Sequence, residues 1–158
     1  MFRCTLAAVF CLASITTVIA QQKPDFSGEW KLNRQASTLS PIVAPAAQSG
    51  FLRIEHHDPK FAAQMTIVLD GKPFESKFEL MSDGREVVST DDRGRRTVST
   101  LRWDANALVV TWRVQGSETA MTISFRYELE DGGRRLRAAE QIRGSGRGQD
   151  NQWVFERP

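Results

Sequence analysis

The chain has 158 residues, with 21 basic against 19 acidic side chains and a formal net charge of +2. That balance, with no long basic block, gives no electrostatic footprint for nucleic acid or an anionic membrane surface, and the length suits one ordinary domain. Both cysteines, Cys4 and Cys11, fall within the first 20 residues, so the rest of the chain holds neither a disulfide nor a thiolate metal site.

Residues 1–20 carry one early positive charge, Arg3, followed by an apolar and small-residue run that ends Val18, Ile19, Ala20 before the polar Gln21 and Gln22. This is the pattern of an export signal cleaved after Ala20; a retained membrane anchor is the alternative. The missing basic flank and only about 16 moderately apolar residues favour cleavage. Bulky Phe10 before Cys11 argues against lipidation. The expected product is residues 21–158, a single domain, secreted or periplasmic, with no integral membrane segment.

That product opens on Phe26, Ser27, Gly28, Glu29, Trp30, Lys31, Leu32. Phe26, Gly28 and Trp30 share one face of a period-2 strand, with Ser27, Glu29 and Lys31 on the other. Residues 33–50 follow as a polar, small-residue stretch with Pro41 and Pro45, whose only large apolar residues are Leu39, Ile42 and Val43. Such a length is a lid or a loosely packed connection, with room for one helical turn.

Everything beyond is strand and turn. Asp70-Gly71, Asp83-Gly84, Asp92-Arg93-Gly94, Asp104-Ala105-Asn106, Gln115-Gly116-Ser117 and Asp131-Gly132-Gly133 recur at hairpin spacing, each with a residue that tolerates positive φ. Between them apolar and polar residues alternate. Phe74, Phe78 and Leu80 oppose Glu75, Lys77 and Glu79; Leu108, Val110, Trp112 and Val114 oppose Thr111 and Arg113; Met121, Ile123, Phe125, Tyr127 and Leu129 oppose Thr122, Ser124, Arg126 and Glu128. Nine or ten strands result, centred near Trp30, Ile54, Ile67, Phe78, Val88, Thr100, Val110, Phe125, Ala138 and Val154.

The expected fold is all-β, an antiparallel up-and-down barrel of about 8–10 strands, because sequential hairpins leave two vulnerable edges unless the sheet closes. A two-sheet sandwich is the alternative, but only residues 33–50 are long enough for a crossover. An outer-membrane barrel is excluded by the outward charges Glu29, Lys31, Lys77, Glu79, Arg113, Arg135 and Arg137, each costing about 2–4 kcal/mol on a lipid-facing surface at mid-depth.

Phe26-x-Gly28-x-Trp30 resembles the first-strand signature of the calycins, the lipocalins and fatty-acid-binding proteins. The wider run from Pro24 to Asn33, with Ile54-Glu55-His56, Asp58-Pro59, Arg102-Trp103-Asp104 and Leu108-Val109-Val110, resembles a group of small secreted bacterial lipocalin-like proteins of acidobacterial type. The resemblance implies that Trp30 closes one barrel end under a late-strand arginine, with Arg157 the first candidate and Arg143 the second. The chain also departs from those groups. Fatty-acid-binding proteins clamp a carboxylate with an arginine and a tyrosine two residues apart on one strand face, whereas Arg126 and Tyr127 are adjacent and point oppositely. Haem-binding barrels use a histidine near the C-terminus, and the only histidines here are His56 and His57.

The candidate ligand-contacting residues are His56, Phe74, Phe78, Trp112, Met121, Phe125, Tyr127 and Glu140. The aromatics and Met121 fall on the apolar faces; His56 shares the face of Leu52 and Ile54, and Glu140 that of Leu136, Ala138 and Ile142. A barrel packed solid with these side chains is as consistent with the pattern as one that keeps a pocket. Gly144, Gly146 and Gly148 precede a strand rather than a helix and form a hairpin loop, not a phosphate cradle. The tip from Asp91 to Arg96 is a charged turn, and neither metal-ligand spacing nor a nucleophile elbow occurs.

Three functions fit. The first is an exported, monomeric binder of a small hydrophobic or amphipathic molecule, with no cofactor and no catalysis. The second is an isomerase or lyase using His56 and Glu140 across the lumen. The third is a solid-core envelope protein that binds a protein or glycan through its arginine-bearing surface.

Overall fold

Period-2 alternation along nearly the whole chain leaves one extended solution, and the computed structural model, which describes residues 23–116, 120–144, 146 and 148–158, adopts it. The expected leader, with Cys4 and Cys11, lies outside the described residues. The strands are β1 Gly28–Leu32, β2 Ala47–His57, β3 Lys60–Leu69, β4 Lys72–Met81, β5 Val87–Thr90, β6 Arg96–Asp104, β7 Ala107–Gln115, β8 Ala120–Glu130, β9 Arg135–Gly144 and β10 Gln149–Glu156. All pair antiparallel in one sheet of spatial order β4-β3-β2-β1-β10-β9-β8-β7-β6-β5. The result is an up-and-down barrel that is nearly closed.

The seam lies between β4 and β5. Asp83-Gly84 does not form a hairpin there, since β5 pairs with β6 alone. Instead that turn docks on β6, through a bridge of Asp83 with Arg102 and a hydrogen bond from the Gly84 N–H to the Leu101 carbonyl at 2.9 Å. Two edges therefore remain. The β4 edge carries Lys72, Pro73, Glu75, Lys77 and Glu79, and β5 is only four residues long, devices that blunt edge-to-edge association.

Residues 33–50 divide in a way the composition does not show. Ala47 to Gly50 already belong to β2, where a bulge between Ala47 and Ser49 shifts the register. The remaining residues, 33–46, form a strap along the free edge of β10. Thr38 and Gln152 exchange two backbone hydrogen bonds of 2.9 and 2.7 Å, and the Asn33 N–H donates to the Val154 carbonyl at 2.8 Å. One helical turn closes on Ser40, whose carbonyl accepts from Ala44 N–H at 2.8 Å. Leu39 and Val43 pack inward and Ile42 stays exposed.

The two ends of the barrel differ. At one end, Phe26, Trp30, Phe61, Leu101, Leu108 and Leu136 are completely buried, each such side chain contributing about 1.5–3 kcal/mol. Trp30 donates its indole N–H to the Phe26 carbonyl at 3.1 Å, and the Arg157 guanidinium stacks over its ring, 4.2 Å from the centroid. Arg157 also donates to the carbonyls of Gly133 and Ser27, which fixes its plane. This is the stack that the resemblance implied, and it explains Gly28. A Cβ there would fall 2.3 Å from Arg157 Nη1, and the backbone holds a φ of +133°.

The outer face is covered by ion pairs. Arg126 pairs with Asp104 and Glu128, Arg137 with Glu128 and Glu130, Arg135 with Asp131 and Glu156, Arg113 with Glu86, and Arg143 with Asp150. Such exposed pairs give about 0–1 kcal/mol each. They also neutralise the arginines of the late strands.

Candidate functional site

Register places the inward side chains of adjacent strands opposite one another, and at the second barrel end they fail to fill the space. Val110 faces Phe125, Trp112 faces Ile123, Ala63 faces Phe78, and Phe125 faces Glu140 across the strand pairs. The opening of the seam beside Phe74, Ser76 and Thr97 leaves a cavity of about 290 Å³. Its floor is Leu52, Phe125 and Tyr127; its walls are Ala63, Met65, Phe78, Trp112 and Ile123; Phe74 and Val114 lie toward the mouth. Phe74 remains 52% exposed although its strand face turns inward.

The aromatic side chains make one continuous ladder. Phe61 stacks on Phe78, Phe78 meets Trp112 edge-on at 5.1 Å, Trp112 meets Phe125 edge-on at 6.0 Å, and Phe125 stacks on Tyr127. Stacked and edge-on pairs of this kind favour fixed ring positions. Burial raises the Tyr127 pKa, and the neighbouring Glu140 charge adds to the shift, so its hydroxyl stays protonated.

Among the described residues, Glu140 is the charged group that lines this cavity. Its Oε2 accepts from Asn151 Nδ2 at 2.6 Å and from the Trp153 indole N–H at 2.9 Å. Asn151 is only 2% exposed, and its Oδ1 accepts the Ser40 backbone N–H at 2.7 Å. A backbone N–H can only donate, so the amide orientation is determined by the strap. Asn151 and Trp153 stand two residues apart on the inward face of β10 and converge on a carboxylate. They resemble a fatty-acid clamp in spacing, but the carboxylate they hold is the protein's own.

Of the candidate residues, Phe74, Phe78, Trp112, Phe125, Tyr127 and Glu140 line this one cavity. Met121 on β8 does not, although Val114, which it faces on β7, does. His56 does not either. It lies at the packed end, 6% exposed, with ring centroids 5.6 to 5.8 Å from Phe26, Phe61 and Trp103. There its Nδ1 accepts the Phe26 backbone N–H at 3.3 Å, which puts the ring proton on a buried, unpartnered Nε2. Desolvation holds its pKa below the ordinary value, with Asp25 and Asp58 opposing, so the contact with Asp25 is not an ion pair. The segment before β1 folds over His56 and carries Phe26 into the barrel end.

The His56–Glu140 acid/base pair is not formed. The partners of His56 are Phe26 and Asp25, those of Glu140 are Asn151 and Trp153, and the rings of Phe61, Tyr127 and Phe125 lead from one site to the other. Asn151 was legible in principle. Trp153 and Phe155 turn inward, and parity carries the same face back to Asn151. Among the described residues no cluster of His, Cys, Asp or Glu is arranged to hold a metal ion.

No family model matches the chain, and no curated protein matches it. Solved structures share its fold at low sequence identity. A fatty acid transporter, REP1-NXSQ, superposes with a TM-score of 0.53 at 16% identity, covering 84% of this chain and 95% of that one. The zebrafish ileal bile acid-binding protein complexed with cholic acid gives 0.53 at 10% identity, over 84% and 98% of the two chains. Secretory abundant heat soluble protein 4 from Ramazzottius varieornatus gives 0.54 at 13% identity, over 87% and 99%.

Proposed function

We propose that this protein is an exported binder of one small hydrophobic or amphipathic molecule, held in the unfilled half of the barrel. The observation that carries the reading is the cavity of about 290 Å³ walled, among the described residues, by aromatic and aliphatic side chains with a single carboxylate. An apolar pocket with few convergent polar groups is the usual form of a small-molecule site, and this one lies at the small end of the range of about 300–1,000 Å³. Two of the structural neighbours described above are, by name, a fatty acid transporter and a bile acid-binding protein. Export rests on the leader-like residues 1–20 and on the resemblance of the opening strand to secreted bacterial lipocalin-like proteins.

The surface-binding alternative has less support, because the late-strand arginines it relies on are paired with carboxylates. Protein purified under native conditions is expected to yield an extractable small molecule, or, once delipidated, to bind the neutral naphthalene probe prodan saturably at one site. Absence of both a co-purified molecule and saturable prodan binding overturns the reading.

A further inference from the structure

We propose that the lumen selects amphiphiles whose head is an amine or ammonium group over those that end in a carboxylate. The inference rests on the lumen-binding reading above and assigns the chemistry of the ligand's polar end. Among the described residues, Glu140 is the one charged side chain that lines the cavity. Among the described residues, both of its hydrogen bonds arrive at Oε2, from Asn151 and Trp153, and Oε1 is left to the lumen. A carboxylate oxygen with free lone pairs in an apolar enclosure accepts from an N–H donor and attracts a cation.

The carboxylate is held in place independently of any ligand. Asn151 is anchored through Ser40 and buried, and Trp153 is buried beside it. Among the described residues the cavity lining also holds no cationic side chain for an anionic head. Arg126, next to Tyr127 in sequence, points outward and is paired with Asp104 and Glu128. A fatty carboxylate entering this cavity meets a like charge where little water screens it, which opposes binding. An ammonium group meets Glu140 in a cavity whose aromatic lining is a further attraction for a cation. The size of the cavity suits a single short chain.

Displacement of prodan by octylamine, octanol and octanoate, three ligands with the same tail, reads out the head preference. Octylamine is expected to displace at least about tenfold more tightly than octanoate, with octanol between them. Glu140→Gln keeps the shape and the Asn151 and Trp153 neighbours; with each displacement referred to the prodan affinity measured for that variant, it is expected to bring amine and acid to within about twofold of each other. Octanoate binding as well as octylamine to the unmodified protein overturns the proposal while leaving lumen binding intact, as does a preference that survives Glu140→Gln. If prodan does not bind at all, the lumen reading fails and this inference fails with it. Should Glu140→Gln not fold, the head-group order in the unmodified protein decides by itself.

Discussion

His56 shows how one residue's chemistry is set by what folds across it. Its sequence position predicts an inward ring and nothing more; burial among Phe26, Phe61 and Trp103 makes it a neutral structural acceptor. With its pKa lowered from 6.5, the unfolded chain takes up the proton before the folded one does. The stability His56 contributes is therefore complete above its unfolded pKa and declines as the pH falls from there toward the lower folded value. Asp25 and Asp58 are also lowered, from 3.8, through hydrogen bonds from Ser27 to Asp25 and from Ser82 and Trp103 to Asp58. Their contribution is lost only below that value, so the two windows separate. Urea midpoints are expected to fall between about pH 7 and pH 5 in the native protein. His56→Asn, which offers an oxygen in place of Nδ1, is expected to flatten that slope at an overall cost of about 1–3 kcal/mol. An unchanged slope would show that another group is responsible.

At the scale of the element, the strap formed by residues 33–46 is the part the sequence left open. Its residues follow neither a period of 2 nor one of 3.6, so no pattern announces where it lies. What places it is β10, whose edge beyond β1 has no strand partner and bonds the strap at Thr38 instead, and whose Asn151 reaches up to Ser40. One amide thus ties the strap to the lumen carboxylate. Asn151→Leu removes the acceptor for the Ser40 N–H and one of the two donors to Glu140, an expected loss of about 1–3 kcal/mol from groups left unsatisfied. Hydrogen exchange at Thr38 and Ser40 is expected to speed up more than at β3. Equal acceleration of the two would mean that the strap is not held through this amide. The strand centres, by contrast, were legible, because alternation and turn residues act locally.

For the whole molecule, the question of solid core or pocket is answered by position along the barrel axis. The end built on Trp30 is filled and stacked under Arg157; the end beside the seam keeps the cavity. Stability and binding are therefore expected to separate by mutation. Gly28→Ala forces an unfavourable φ and displaces Arg157, costing about 1–3 kcal/mol in chemical denaturation while leaving prodan affinity within about twofold. Trp112→Ala, in the cavity wall, is expected to weaken prodan by about tenfold, and equal effects of the two variants on affinity would show that the halves are not independent. By itself the sequence determined the strand centres, the inward and outward faces and the charged exterior, since each follows from period-2 alternation or from turns that need only neighbouring residues. It leaves the strand count at nine or ten, and the stack on Trp30, with Arg157 before Arg143, comes from the resemblance of the opening motif. Only the tertiary structure decided that β4 and β5 stay apart, that His56 is sealed beneath Phe26, and that Asn151 and Trp153 hold Glu140 at the edge of an empty space. Those features depend on how far the sheet curls before its edges meet and on which side chains from distant strands then share a volume, and no local pattern encodes either.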